Sequence, residues 1–148
     1  MKILFVCTGN TCRSAMAEGL MKELLEKNGL HNITVISRGI YASSGSNASD
    51  EAIAALKNLY KIDISKHSSA LLTFNDIQSS DFIYAMTDNH KNLINTTLED
   101  EEMSMKIKNF AETDIEDPYM GSKKVYEQCA RAIYKGIVEI IDDIRSVL

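Results

Sequence analysis

The chain has 148 residues, 45% hydrophobic and 25% charged, which fits one domain with a core of ordinary size and leaves little material for a second. A formal net charge of -5 and a pI near 5.2 exclude a general affinity for nucleic acid, whose phosphates the average field repels, so any anion site has to be local. The apolar run at the N-terminus covers only residues 3–7, too short for a signal peptide or a membrane span, and no other stretch is long enough.

Three cysteines, Cys7, Cys12 and Cys129, form an odd and sparse set. Such a set argues for free thiols in a reducing compartment rather than a disulfide framework, and the expected location is the cytoplasm. The acidic run Glu99, Asp100, Glu101 and Glu102 reads as a solvated loop or helix end.

In chain order, residues 2–7 (KILFVC) are a near-continuous apolar run of strand formers. Residues 14–28 then bring Met16, Ala17, Leu20, Met21, Leu24 and Leu25 onto one helical face, with Gly29 as the stop. A second strand is expected at 33–37 (ITVIS), and a polar loop through Ser43, Ser44, Gly45 and Ser46 leads into a helix over 49–60. Residues 81–87 (DFIYAMT) read as a third strand, with Thr87 placed to cap a short helix, and 106–110 (KIKNF) as a fourth.

From Ser122 onward Val125, Cys129, Ile133, Ile137, Ile140, Ile144 and Leu148 recur at steps of four or three, the stripe of a long core-facing helix. Strands alternating with helices imply parallel pairing with right-handed crossovers. The expected fold is therefore a single-domain, three-layer α/β/α sandwich around a four-stranded parallel twisted sheet. Ligands in such sheets bind beyond the carboxyl ends of the strands, which points to Cys7.

Between the first strand and the first helix lies Cys7-Thr8-Gly9-Asn10-Thr11-Cys12-Arg13-Ser14. A short loop at that place aims successive backbone N–H groups inward, a concave nest for a tetrahedral anion assisted by the helix dipole. Gly9 and Asn10 suit unusual backbone angles. Arg13 can fork onto two phosphate oxygens, a planar contact that lysine does not reproduce. A cysteine below such a nest is biased toward thiolate, the form that attacks phosphorus, and Ser14 can hydrogen-bond to the sulfur.

Thiolate attack on a phosphate ester needs an acid for the leaving group and then a base for the water that cleaves the phosphocysteine. The chain's only proline sits in Glu116-Asp117-Pro118-Tyr119, a rigid turn before the last helix. Asp117 is the candidate, with Asp114 and Glu116 as alternatives nearby.

The strand ending in V-C-T-G-N-T-C-R-S, the late Asp117-Pro118-Tyr119 and the βα order resemble the low-molecular-weight protein-tyrosine phosphatases along the whole chain. The resemblance implies Cys7 as nucleophile, Arg13 as phosphate clamp and Asp117 as general acid and base, with residues 7–14 as the phosphate loop. It also implies that Asn10, Ser14, Ser37 and His67 brace that loop. Thr11, with Ser37-Arg38-Gly39, Ala85-Met86-Thr87 and Asp117-Pro118-Tyr119, is more similar to a bacterial branch of the family that acts on phosphoarginine.

Tyrosine-directed members tend to carry a larger aliphatic residue at the Thr11 position, and Tyr119 suits the wall of either pocket. Cys12 resembles the family's second loop cysteine, a possible redox partner of Cys7 or a buried packing residue. Ala15 departs from the proline usual after the Arg-Ser pair.

The resemblance implies phosphorylated proteins as substrates, no cofactor, and a chain without nucleic-acid or membrane partners. No metal is implied by ligand spacing, and a monomer is favoured. Competing classes are a thioredoxin-coupled arsenate reductase, which needs relay cysteines that residues 81–100 lack, and a silent phospho-ligand binding module.

Overall fold

The computed structural model describes residues 1–147. Strand β1 (Lys2–Cys7) is followed by α1 (Arg13–Lys27), β2 (Thr34–Gly39), α2 (Asp50–Tyr60) and α3 (Phe74–Ser79). Next come β3 (Phe82–Ala85), α4 (Asp88–Thr97), α5 (Glu101–Ser104), β4 (Ile107–Asn109) and α6 (Lys123–Val147). The four strands form one parallel sheet in the order β2-β1-β3-β4.

Because the chain crosses from β2 back past β1 to β3, the order reverses at β1. The crevice beyond the carboxyl end of β1 is the place where such a sheet opens a binding site. Cys7 sits at that end, paired with Gly39 of β2.

β1 is buried on both faces, so its alternation divides the core in two. Ile3 and Phe5 face the main cluster, which α1, α2 and α6 cover with Met16, Leu20, Leu56, Ile133 and Ile137. Leu4 and Val6 face a smaller cluster with Ile77 of α3, Ile83, Ile94 of α4 and Ile107. The expected three layers are thus present, with the long helices on one side and the short ones on the other.

Local sequence accounts for most boundaries. α1 ends in a Schellman motif, where Leu30 N–H reaches the Leu25 carbonyl, Gly29 N–H reaches Glu26, and Gly29 takes φ +70°. Ser49 caps α2 by accepting from Ala52 N, and Thr87 caps α4 by accepting from His90 N.

Several expectations shift. β2 starts one residue late and runs to Gly39. α3 has no counterpart in the sequence reading, although Thr73 and Asp76 form a complete capping box around it. The acidic run 99–102, by contrast, is the exposed helix end expected, with Asp100 as the cap of α5 and Glu101 and Glu102 in its first turn.

On α6, Val125 is 40% exposed and does not belong to the buried stripe, which begins with Tyr126 one residue later. Ser122 belongs to the connection, and Tyr126, Cys129, Ala130 and Ile133 form the first turns of the buried face. Leu148 lies outside the described residues. Among the described residues no helix is long and apolar enough to cross a membrane.

Candidate active site

The loop 8–12 leaves the sheet at Cys7 and enters α1 at Arg13. Cys12 stands at the helix N-cap without a side-chain cap hydrogen bond, and no acidic residue occupies the first turn. The first N–H groups of a 15-residue helix, and its positive dipole end, are therefore left for whatever lies in the loop. Gly9 and Asn10 were both expected in unusual backbone conformations. Only Asn10 adopts one, at φ +59°, where asparagine is tolerated better than most residues.

Asn10 organises the loop. Its side chain is fully buried, Oδ1 accepts from Ala70 N at 3.0 Å, and Nδ2 donates to Ser14 Oγ at 2.8 Å and to Ser37 Oγ at 2.9 Å. Ser37 gives its proton to Glu18 Oε1 at 2.6 Å, and Ser14, with Asn10 on one lone pair, lies 2.8 Å from Cys7 Sγ, where its hydroxyl is the donor whenever the sulfur is a thiolate.

Asn10 N–H also points at Cys7 Sγ, at 3.3 Å. The Ser14 hydroxyl and the Asn10 N–H thus converge on one buried sulfur. His67 Nε2 meets the Asn10 carbonyl at 2.7 Å and closes the brace from outside the loop.

Gly39 makes this packing possible. A Cβ there would lie 2.6 Å from the Thr8 carbonyl oxygen and 2.9 Å from Asn10 N, so β2 approaches the loop closer than any side chain permits. Arg13 is buried to 5% exposure, with Nη1 donating to the Ile115 carbonyl at 2.9 Å and Nη2 to Thr8 Oγ1 at 3.3 Å.

Asp117 lies across the opening, with Oδ2 3.8 Å from Arg13 Nη2 and Oδ1 accepting from Tyr119 N at 3.0 Å. Its side chain is half exposed. Of the two alternatives, Asp114 is tied to Asp88 N at 2.8 Å, and Glu116 does not line the cleft. A cleft of about 220 Å³ is bounded by residues 7–13 on one side and by Asp117 and Tyr119 on the other. Tyr119 is 71% exposed at its mouth, and Thr11 lies on its wall.

A buried thiol, a buried guanidinium and a half-exposed carboxylate thus face one cleft, and the sequence matches over residues 2–146 the family described as "low molecular weight phosphotyrosine protein phosphatase". The chain belongs to this family. It is an enzyme, a low-molecular-weight protein phosphatase. It is 39% identical over 132 residues to a protein-arginine-phosphatase of Bacillus subtilis, covering 86% of each chain. It is also 35% identical over 147 residues to the low molecular weight protein-tyrosine-phosphatase PtpB of Staphylococcus epidermidis, covering 98% of this chain and 97% of that one.

Among solved structures, the fold superposes with a TM-score of 0.91 at 33% identity, over 98% of this chain and 96% of the other, on a YwlE arginine phosphatase. That protein is a cysteine-to-serine mutant with a phosphorylated active-site serine.

The phosphatase's two other thiols differ in their surroundings. Cys12 Sγ packs between Ser49 Oγ at 3.4 Å and the Tyr126 hydroxyl at 3.6 Å, and the Tyr126 pKa is raised chiefly by burial and then by its bond to Cys12. Cys129 is buried on α6 against the Glu116 carbonyl, and burial pushes its thiol up to about 12, which makes it inert. Cys129, so held, is not poised for the disulfide relay that an arsenate reductase needs.

Three neighbours of the loop were missed from the sequence. They are Glu18, which receives the Ser37 proton, Ile115, which holds Arg13 through its carbonyl, and His90, whose Nε2 touches Thr8 Oγ1 at 2.8 Å. None of the three carried a local signal, since each reaches the loop from a distant part of the chain or through a backbone carbonyl.

Proposed function

We propose that the chain removes phosphate from phosphoarginine side chains of proteins, through a phosphocysteine formed on Cys7. The observation that carries the substrate choice is Thr11 on the cleft wall, a small polar group where an aromatic slot needs apolar bulk. The 39% identity to a protein called an arginine phosphatase supports the same choice. The substrates are phosphorylated proteins, met by a monomer in the cytoplasm.

In the first step the Cys7 thiolate attacks phosphorus and the S–P bond forms as the P–N bond breaks. Protonated Asp117 gives its proton to the departing guanidine nitrogen. Arg13 and the loop N–H groups hold the phosphoryl oxygens throughout, where charge gathers in the transition state. Asp117, now a carboxylate, takes a proton from the entering water as it attacks. The S–P bond breaks, and inorganic phosphate leaves with the thiolate restored.

Ser14 and Asn10 N–H stabilise the sulfur at both stages, and Ser37 and His67 hold Asn10 in place. A planar guanidine offers Asp117 paired hydrogen bonds that a phenol oxygen does not.

The test compares kcat/KM on phosphoarginine and phosphotyrosine peptides of one sequence for the parent and for Thr11→Ile. The parent is expected to prefer phosphoarginine, and Thr11→Ile to shift the ratio toward phosphotyrosine. An unchanged ratio removes Thr11 as the determinant. Cys7→Ser must abolish turnover of an aryl phosphate; retained hydrolysis by that variant would sink the nucleophile assignment. Arsenate-dependent oxidation of thioredoxin by the parent enzyme would replace the phosphatase reading by a redox one.

A further inference from the structure

His90 takes no part in the chemistry above, yet it is buried to 4% exposure and hydrogen-bonded at both ring nitrogens. Nδ1 meets Thr87 Oγ1 at 3.0 Å, the hydroxyl that also caps α4 by accepting from His90's own N–H. Nε2 meets Thr8 Oγ1 at 2.8 Å, and the same oxygen accepts from Arg13 Nη2 at 3.3 Å. A continuous chain therefore runs from the α4 cap through the imidazole and Thr8 to the guanidinium, whose other arm rests on the Ile115 carbonyl.

We propose that His90 is a positioning residue for Arg13: it fixes the Thr8 hydroxyl, and that hydroxyl sets the plane in which the guanidinium meets the phosphoryl oxygens. The inference rests on the reading of Arg13 as the phosphate clamp.

The chemistry of the chain supports this. A neutral imidazole has one donor and one acceptor, and a hydroxyl can complement either, so both contacts are satisfied together. An imidazolium would donate to both hydroxyls, taking the second lone pair of Thr8, which accepts from Arg13, and of Thr87, which accepts from the backbone. It would also stand one side chain away from a buried cation. The ring is correspondingly held neutral, its pKa lowered to about 4 by burial first and the Arg13 charge second, against the smaller opposing pull of Asp114 and Asp117.

The geometry matters because Arg13 has no close carboxylate to orient it. Asp117 is 3.8 Å away and half exposed, so its pull on the guanidinium is loose. Thr8 and Ile115 are the guanidinium's two hydrogen-bond partners, one on each arm. A fork misaligned by a fraction of an ångström loses the second of its two phosphate contacts, and that contact gives a guanidinium its advantage over an ammonium.

The experiment measures kcat and KM on para-nitrophenyl phosphate, and Ki for inorganic phosphate, in His90→Leu, His90→Gln, Thr8→Val and the double variant His90→Leu/Thr8→Val. His90→Leu is expected to raise the phosphate Ki and lower kcat/KM by roughly tenfold, the scale of one hydrogen bond to a charged group. Thr8→Val should do the same without disturbing the core, since Thr8 is exposed. The double variant should be no worse than either single one, because both cut the same chain. His90→Gln, which keeps a donor and an acceptor, should stay within about threefold of the parent.

A purely structural His90 predicts a different pattern, a lowered melting temperature with unchanged Ki, and that result overturns the proposal. So do losses that multiply in the double variant. Arg13→Lys run alongside separates the two levels. If it leaves Ki unchanged, the clamp reading itself fails; if it raises Ki while the His90 and Thr8 variants do not, only the positioning role fails.

Discussion

Replacing Asn10 by alanine tests whether one buried side chain holds the phosphate loop. Three hydrogen bonds disappear, from Nδ2 to Ser14 and Ser37 and from Ala70 N to Oδ1, at 2.8, 2.9 and 3.0 Å. Each neutral bond contributes about 1 kcal/mol net, so their loss costs about 3 kcal/mol. Alanine must also hold φ +59°, which adds about 1 kcal/mol.

The sum, about 4 kcal/mol, is a large part of a typical domain stability of roughly 5–15 kcal/mol, so the variant should fold with a much lower urea midpoint. Asn10→Gly relieves the backbone part and should recover about 1 kcal/mol of the loss. Urea unfolding followed by far-UV circular dichroism measures both, the chain having no tryptophan. Activity should fall in both variants, since the Ser14 proton is no longer steered to Cys7. A loss below about 1 kcal/mol in Asn10→Ala, or equal stabilities for the alanine and glycine variants, refutes the assignment of the loop's support to this residue.

His90 makes stability depend on pH. Its folded pKa, about 4, lies below the unfolded value of 6.5, so the contribution is complete above pH 6.5 and is lost as pH falls toward 4, reaching about 3 kcal/mol. Arg13, Asp114 and Asp117 are the charged groups that act on it, and urea titrations of the parent against His90→Gln from pH 4 to 7 should show the two curves converging as the pH falls. Gly39→Ala should cost about 1–3 kcal/mol by overpacking and lower kcat/KM at least tenfold, because the new methyl displaces the Thr8 and Asn10 backbone. Gly136→Ala drives a methyl into the Phe110 ring. It should lower the melting temperature by several degrees and leave kcat unchanged at 25 °C.

Elements with a local cause were legible in the sequence. β1 was readable because residues buried on both faces form an unbroken apolar run. α1, α2 and α4 were readable because Gly29, Ser49 and Thr87 punctuate them. α3 was not read, since six residues give no period to count, although Thr73 and Asp76 spell its capping box. The stripe on α6 was right over most of its length. It failed at Val125, since Tyr126, three residues before Cys129 and four before Ala130, carries the buried face at the first turn instead.

The candidate site divides along the same line. Cys7, Arg13 and Ser14 are neighbours in one short loop, and the chemistry of an anion nest makes their spacing meaningful by itself. What fixes the loop comes from far along the chain. Ser37 lies 27 residues from Asn10, His67 lies 57 residues away, the Ala70 N–H lies 60 away, and His90 lies 82 residues from Thr8. Ser37 and His67 were found only through a family resemblance, and His90 was not found, because no local pattern distinguishes a histidine aimed at a loop from one packed in a core. The parallel sheet brings them together: β2 and β3 flank β1, so the segments that follow their carboxyl ends necessarily border the loop that follows its own. In this fold, polar residues just beyond Gly39 and Ala85 are placed to act on the phosphate loop wherever they fall in the chain, and His90, three residues past the Thr87 cap, is such a residue.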